Sequence, residues 1–285
     1  MKAIIVPTDF SDCAASAYNY AALLAEKTGA TIYLLHVLDI PFPSIATGDD
    51  AETTQDTHFM MELMNLTKSR MKKARARKEF KNSDIKEIIE VGPFPQRIFH
   101  AVEIYKADMI VMGTHGTSGL QEKFIGSNAE KVVRNANVPV LSVKHGVKKP
   151  TIETILFATD FSDEADRVLP AVNAVASLFK AKLILSKIVT QDKFEASAKV
   201  DEQIKKFSSK NKLYRFVTNV YYDHCKEDGI RHAANTAKAS IIALGTHGRH
   251  GLAHFFRGSV AENVVSHASL PVLTINFKKN RIDLR

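Results

Sequence analysis

The sequence predicts an α/β protein made of two copies of one unit, each a parallel sheet covered by helices, and three observations predict it. The string Gly113-Thr114-His115-Gly116, nine further residues and then Gly126-Ser127 is written a second time as Gly245-Thr246-His247-Gly248, nine residues, Gly258-Ser259. Other landmarks return in the same order: Pro7-Thr8-Asp9-Phe10-Ser11 as Ala158-Thr159-Asp160-Phe161-Ser162, and Val138-Pro139-Val140 as Leu270-Pro271-Val272. Within each copy, short apolar runs rich in β-branched residues alternate with helical patterns, the arrangement that builds a parallel sheet. Asp9 and Asp160 are 151 residues apart but Gly113 and Gly245 only 132, so the second copy lacks 19 residues between its first and last thirds.

Taken in order, residues 3–7 read as the first strand. Ala14, Ala17, Tyr18, Ala21, Leu24 and Ala25 follow at helical spacing, and Gly29 supplies the stop. Residues 30–37 are a second strand, 41–57 a polar excursion that holds the extra length, 85–91 a third strand, 96–105 a helix, 109–112 a fourth strand and 138–143 a fifth. In the second copy Pro170 falls inside the helix predicted over 163–179, where an interior proline costs about 3 kcal/mol, so a kink or a later helix start is expected. A polar linker at residues 146–150 divides the 285 residues into domains at 1–146 and 151–285.

Composition narrows the class. No apolar stretch reaches the roughly 18 residues that a membrane span needs, and the first residues enter a strand without a basic leader, so a soluble cytoplasmic protein is expected. The two cysteines, Cys13 and Cys225, form neither a metal spacing nor a disulfide framework, and Cys13 reads as a packed small residue. The formal charge is +8, with Lys68, Arg70, Lys72, Lys73, Arg75, Arg77, Lys78 and Lys81 in one helical stretch. These charges surround more than one face without interleaved aromatic residues, which reads as a solvated surface rather than a nucleic-acid patch.

The repeated glycines point to an anion. Glycine after the fourth strand turns the chain with no Cβ in the way, so a ligand can lie against bare backbone at Gly113 and Gly116. Ser127-x-x-Glu130 and Ser259-x-x-Glu262 have capping-box spacing, so Gly126-Ser127 and Gly258-Ser259 open helices whose first N–H groups attract phosphate. Asp9 and Asp160 follow the first strand of each copy, where a carboxylate suits a ribose hydroxyl.

These residues resemble the universal stress protein family in its tandem form, over nearly the whole chain, through the Gly-x2-Gly-x9-Gly-Ser spacing complete in both copies. The resemblance implies two Rossmann-like (adenine nucleotide alpha hydrolase-like) domains, each a five-stranded parallel sheet of order 3-2-1-4-5, in a stress-response protein that binds ATP, or AMP or ADP, with or without Mg2+. It places Pro7, Thr8 and Asp9 on the adenosine side, Val37 near the adenine, and Gly113, Gly116, Gly126, Ser127 and Asn128 on ribose and phosphates. The second set is Thr159, Asp160, Ile188, Gly245, Gly248, Gly258, Ser259 and Val260, to which the charge of Arg249 inside the glycine loop adds a phosphate contact. It also implies pairing of the domains through their fifth strands, at 138–143 and 270–277, and leaves open a homodimer and an unidentified regulatory protein partner.

The copies differ. Ala158 stands for Pro7, the Gly92-Pro93 turn has no counterpart near Cys225, and Arg249, His250, His254 and Arg257 replace Thr117, Ser118, Gln121 and Ile125. Added positive charge near phosphates predicts a modestly tighter second site. The loops lack the Gly-Lys-Ser/Thr ending of a P-loop, and no paired carboxylates or metal motif converge on them, so no catalytic residue is assigned and any hydrolysis is expected to be slow. His115 and His247 read as loop-orienting groups. A nucleotide-free interaction scaffold is the alternative. An ATP pyrophosphatase is disfavoured, because Thr-Asp-Phe-Ser replaces the Ser-Gly-Gly turn that such an enzyme needs.

Overall fold

Ten strands form one sheet, and each half of it has the internal strand order 3-2-1-4-5. The computed structural model describes residues 1–39, 52–114, 126–193, 196–211, 213, 215–246 and 260–277. In the first half the strands are β1 (Ala3–Pro7), β2 (Thr31–Leu38), β3 (Ile85–Val91), β4 (Met109–Gly113) and β5 (Val140–Val143). The second half contributes β6 (Thr154–Ala158), β7 (Lys182–Thr190), β8 (Phe216–Asp223), β9 (Ile241–Thr246) and β10 (Val272–Asn276). Pairing inside each half is parallel, with Pro7 opposite Leu35 and Ile5 opposite Ile110. The two halves meet where β5 and β10 pair antiparallel, Leu141 opposite Leu273. Each fifth strand thus spends its open edge on the other, and the predicted domain pairing is internal to the chain.

Helices α1 (Asp12–Thr28), α2 (Glu52–Arg75), α5 (Asp163–Phe179) and α6 (Ser197–Lys210) follow the first two strands of each half. Helices α3 (Phe94–Ile104), α4 (Ser127–Asn135), α7 (Lys226–Thr236) and α8 (Val260–His267) come from the later connections. One apolar core joins Ile4, Leu24, Met71, Phe157, Val168 and Leu273, and a second joins Ile5, Ile98, Val132, Ile230 and Val264. Successive residues of β1, Ile4 and Ile5, serve different cores, as the period-two geometry of a sheet covered on both faces requires.

Local chemistry sets the helix ends. The Ser11 Oγ accepts from the Ala14 N–H at 3.2 Å, and Ser162 repeats the cap on Ala165 at 3.4 Å. At the other end Gly29 takes the left-handed conformation, φ 71°, whereas the corresponding residue of the second half is Lys180, φ 52°. The cap at Ser162 excludes a later start for α5. Pro170 is accommodated within the helix with its ring exposed, where the missing N–H costs least. Helix α2 reaches back to Glu52, into the stretch predicted as polar excursion, because residues 52–57 contain neither glycine nor proline; residues 40–51 lie outside the described residues. Strand β2 is displaced by one residue from the predicted 30–37. Strand β5 begins at Val140 because Pro139 has no N–H to donate, though its carbonyl accepts from Ile110 at 2.9 Å.

Candidate functional site

At the carboxyl end of β1 the chain is held by a tight set of hydrogen bonds. The Thr8 N–H continues the ladder onto the Leu35 carbonyl at 2.8 Å, the Thr8 Oγ1 accepts from the Phe10 N–H at 2.9 Å, and the Asp9 Oδ1 accepts from the Ser11 N–H at 3.0 Å. Phe10 itself is left-handed, φ 66°, a conformation that costs a non-glycine residue about 1–3 kcal/mol. The second half repeats the construction, with Phe161 at φ 61°, the Thr159 Oγ1 accepting from Phe161 at 3.0 Å and the Asp160 Oδ1 from Ser162 at 3.1 Å. A strained turn built twice from the same four residues is what the repeated Thr-Asp-Phe-Ser string encodes.

Beneath the first turn lies a polar cluster. The Tyr18 hydroxyl bonds the Thr8 hydroxyl, and burial pushes the phenol up to about 12. The His36 Nδ1 lies 2.6 Å from the Thr8 carbonyl, which only accepts, so Nδ1 carries the hydrogen and Nε2 is the acceptor. Burial holds the imidazole below its ordinary range, the Thr8 carbonyl opposing this, and the ring stays neutral near pH 7. The Phe10 ring centroid is 4.7 Å from that of His36; the Arg70 guanidinium stands 5.9 Å over Phe10, and that of Arg77 5.7 Å over Tyr18. Two cations of the basic stretch therefore pack at the end of β1 instead of serving only as solvated surface. Sequence reasoning missed Tyr18, His36 and Arg70, because nothing in spacing joins β1, β2 and α2. In the second half Leu169 stands at the tyrosine position and Lys187 at that of His36; the buried Lys187 donates to the Gln203 Oε1 at 2.6 Å.

The end of β4 is tied to the start of α4. The Thr114 N–H bonds the Val143 carbonyl at 3.0 Å, and the Thr114 carbonyl accepts from the Gly126 N–H at 2.8 Å. Gly126 is the N-cap, φ −63°, and brings no side chain to the helix's first N–H groups. The expected capping box is not formed: Ser127 is the first helical residue, and Glu130 turns to the Arg134 Nη2 at 2.8 Å. Its counterpart Glu262 accepts from the Arg134 Nε at 2.7 Å, so a residue read as a cap binds the two halves together. Ser127 and Asn128 are exposed in the first turn of α4, and Val260 is the first described residue of α8.

The glycines have separate causes. A Cβ on Gly113 would stand 2.8 Å from the Cys13 Cβ and 2.9 Å from its carbonyl carbon, so this glycine lets α1 approach β4. The expectation that it bares backbone to a ligand is corrected on that face. Cys13 is buried there, packed as expected. A Cβ on Gly245 would stand 2.1 Å from the ring of Phe277. At Gly126 the nearest described atom to such a Cβ is the Thr114 carbonyl oxygen at 3.4 Å, an ordinary contact, and φ is negative. Nothing among the described residues demands glycine at Gly126. Val37 is buried in the second core, and Ile188 is pressed by α7, where a Cβ on Gly229 would lie 2.5 Å from its Cγ2. Gly116, Gly248, Arg249, Gly258 and Ser259 lie outside the described residues, as do His115, Thr117, Ser118, Gln121, Ile125, His247, His250, His254 and Arg257.

The universal stress protein family profile matches residues 1–144 and again 151–276. The chain belongs to the universal stress protein family. Universal stress protein Slr1230 of Synechocystis is 26% identical over 291 residues, spanning 96% of this chain and 99% of that one. Universal stress protein MJ0531 of Methanocaldococcus jannaschii is 33% identical over 149 residues, 52% of this chain and 85% of its own. The crystal structure of a universal stress protein from Archaeoglobus fulgidus superposes with a TM-score of 0.70 at 21% identity, covering 96% of each chain, which supports the fold. Among the described residues no helix is long and apolar enough to cross a membrane, and no group of three or more His, Cys, Asp or Glu is placed to hold a metal.

Proposed function

We propose that this universal stress protein binds an adenine nucleotide, ATP foremost, across the ends of β1 and β4 in its first half, as a signal or stabiliser with little or no hydrolysis. The observation that carries the reading is Gly126. It opens a helix without a capping side chain and sits on the end of β4, and the described fold gives no steric reason for a glycine there. A helix N-terminus, whose first N–H groups have no partner within the helix, favours a phosphate, and a glycine at its mouth permits close approach.

In this reading the amides of Ser127 and Asn128 take the phosphates, the Asp9 carboxylate takes the ribose hydroxyls, and the backbone near Val37 borders the adenine. Pro7 and Thr8 fix the Asp9 turn, which the strained φ of Phe10 presents beside β4. His36, neutral and hydrogen-bonded to Thr8, holds the turn from below. Gly116 completes the set by its place in the motif, and Mg2+ accompanies the phosphates without a dedicated protein ligand. The nucleotide stabilises the turn and the start of α4 together, and so changes the surface shown to a regulatory partner in the cytoplasm. Equilibrium dialysis of the purified chain against ATP, with and without magnesium, tests it: sub-millimolar binding that disappears in Gly126→Val is expected, and no binding at millimolar ATP contradicts it.

A further inference from the structure

The same position is filled differently in the two halves. At Gly113 the space of the missing side chain is taken by α1 itself, with the Cys13 carbonyl carbon at 2.9 Å and the Ala14 nitrogen at 3.1 Å from a notional Cβ. At Gly245 it is taken by the ring of Phe277, with Cζ at 2.1 Å and Cε1 at 2.3 Å. Phe277 follows β10 and is held in place by its N–H on the Thr246 carbonyl at 2.8 Å. By the repeat spacing it corresponds to His145, whose side chain is exposed. Cys13 corresponds to Glu164, a residue that cannot follow it into an apolar gap without desolvating its charge.

The helices respond to this exchange. Helix α1 packs extensively along β4, whereas α5 touches β9 sparsely. The turn that precedes each helix shows the consequence: Asp9 is half-buried, and Asp160, in an otherwise identical hydrogen-bonded turn, is exposed. The phenyl ring, larger than the cysteine it replaces, lies on Gly245 at the end of β9 and packs against the core to which Ala165 and Val168 of α5 contribute.

We propose that Phe277 is a wedge that keeps the Asp160 turn from closing on Gly245, so that the second cleft does not take the nucleotide and the chain binds one molecule, in its first half. This rests on the nucleotide reading above. It also replaces the expectation of a tighter second site with that of a silent one. A nucleotide spanning two strand ends needs both at once, because binding energy is lost steeply when groups that act together are held apart.

Equilibrium dialysis of the 285-residue chain with ATP tests the wedge. The wild-type chain is expected to bind one equivalent, and both Phe277→Ala and Phe277→His, the latter placing the first half's residue there, two. Gly126→Val combined with Phe277→Ala should keep one. Two equivalents in the wild type overturn the proposal, as does a single Gly126-dependent equivalent in both Phe277 variants, which leaves the first-half reading intact. Absence of binding in every protein overturns both together. A readout free of nucleotide accompanies it: Gly245→Ala should lower the urea midpoint in the wild type and leave it unchanged in the Phe277→Ala background. An equal shift in both backgrounds contradicts the ring's placement.

Discussion

The first and second halves share their strand order, their serine caps and their left-handed phenylalanine turns, yet they diverge at the point where a strand end meets a helix start. In the first half Gly113 receives Cys13 and the backbone of α1; in the second Gly245 receives a phenyl ring from the far end of the chain. The comparison teaches that the repeated glycine string preserves a backbone path, while the residues filling the space beside it decide what the path is used for. Duplication of a motif is thus evidence for two folds and not by itself for two sites.

The sharpest way to break this contrast is at the glycines. Gly113→Ala drives a Cβ into backbone atoms that cannot rotate away, and a loss of about 3 kcal/mol is expected in urea unfolding. Gly245→Ala meets a side chain, which can turn, and should cost about 1 kcal/mol. Equal losses would mean that the two environments are alike. Next in size is the bridge between the halves. Arg134→Ala leaves the largely buried Glu262 without its 2.7 Å partner, and about 1 kcal/mol is expected after allowance for the guanidinium's 41% exposure, less at high salt. No change in unfolding would show that this ion pair adds nothing to the joining of the halves.

Helix ends offer a smaller test. Lys180 holds a left-handed cap that Gly29 holds in the first half, so Lys180→Gly should raise stability by about 0.5–1 kcal/mol and Gly29→Ala lower it by a similar amount. Thermal unfolding of both variants checks the pair. The smallest effect is that of pH. His36 has its pKa lowered by burial, so the unfolded chain takes up its proton first, and stability contributed by the neutral ring is present above about pH 6.5 and declines as pH falls below it. His36→Asn should flatten that part of the profile. An unchanged profile would remove His36 from the account.

Much of the fold was legible because the signals are local. Alternating strand and helix patterns and the stop at Gly29 placed the elements of the first half to within a residue or two at most ends. The exceptions also have local causes: Pro139 shortens β5, and a stretch without glycine or proline lets α2 begin at Glu52. The site was legible only along the motif. That His36 reaches the Thr8 carbonyl and Arg70 the Phe10 ring, that Glu262 meets Arg134 across the halves, and that Phe277 lies on Gly245 are contacts between residues far apart in the chain. Periodicity and spacing carry no information about them.

The central claim is that an adenine nucleotide is gripped by the start of α4 and the Asp9 turn. Calorimetric titration of the whole chain with ATP tests it most directly. The account predicts saturation at one nucleotide per chain and its loss in Gly126→Val; absence of binding heat up to millimolar ATP, or binding indifferent to Gly126→Val, would contradict it.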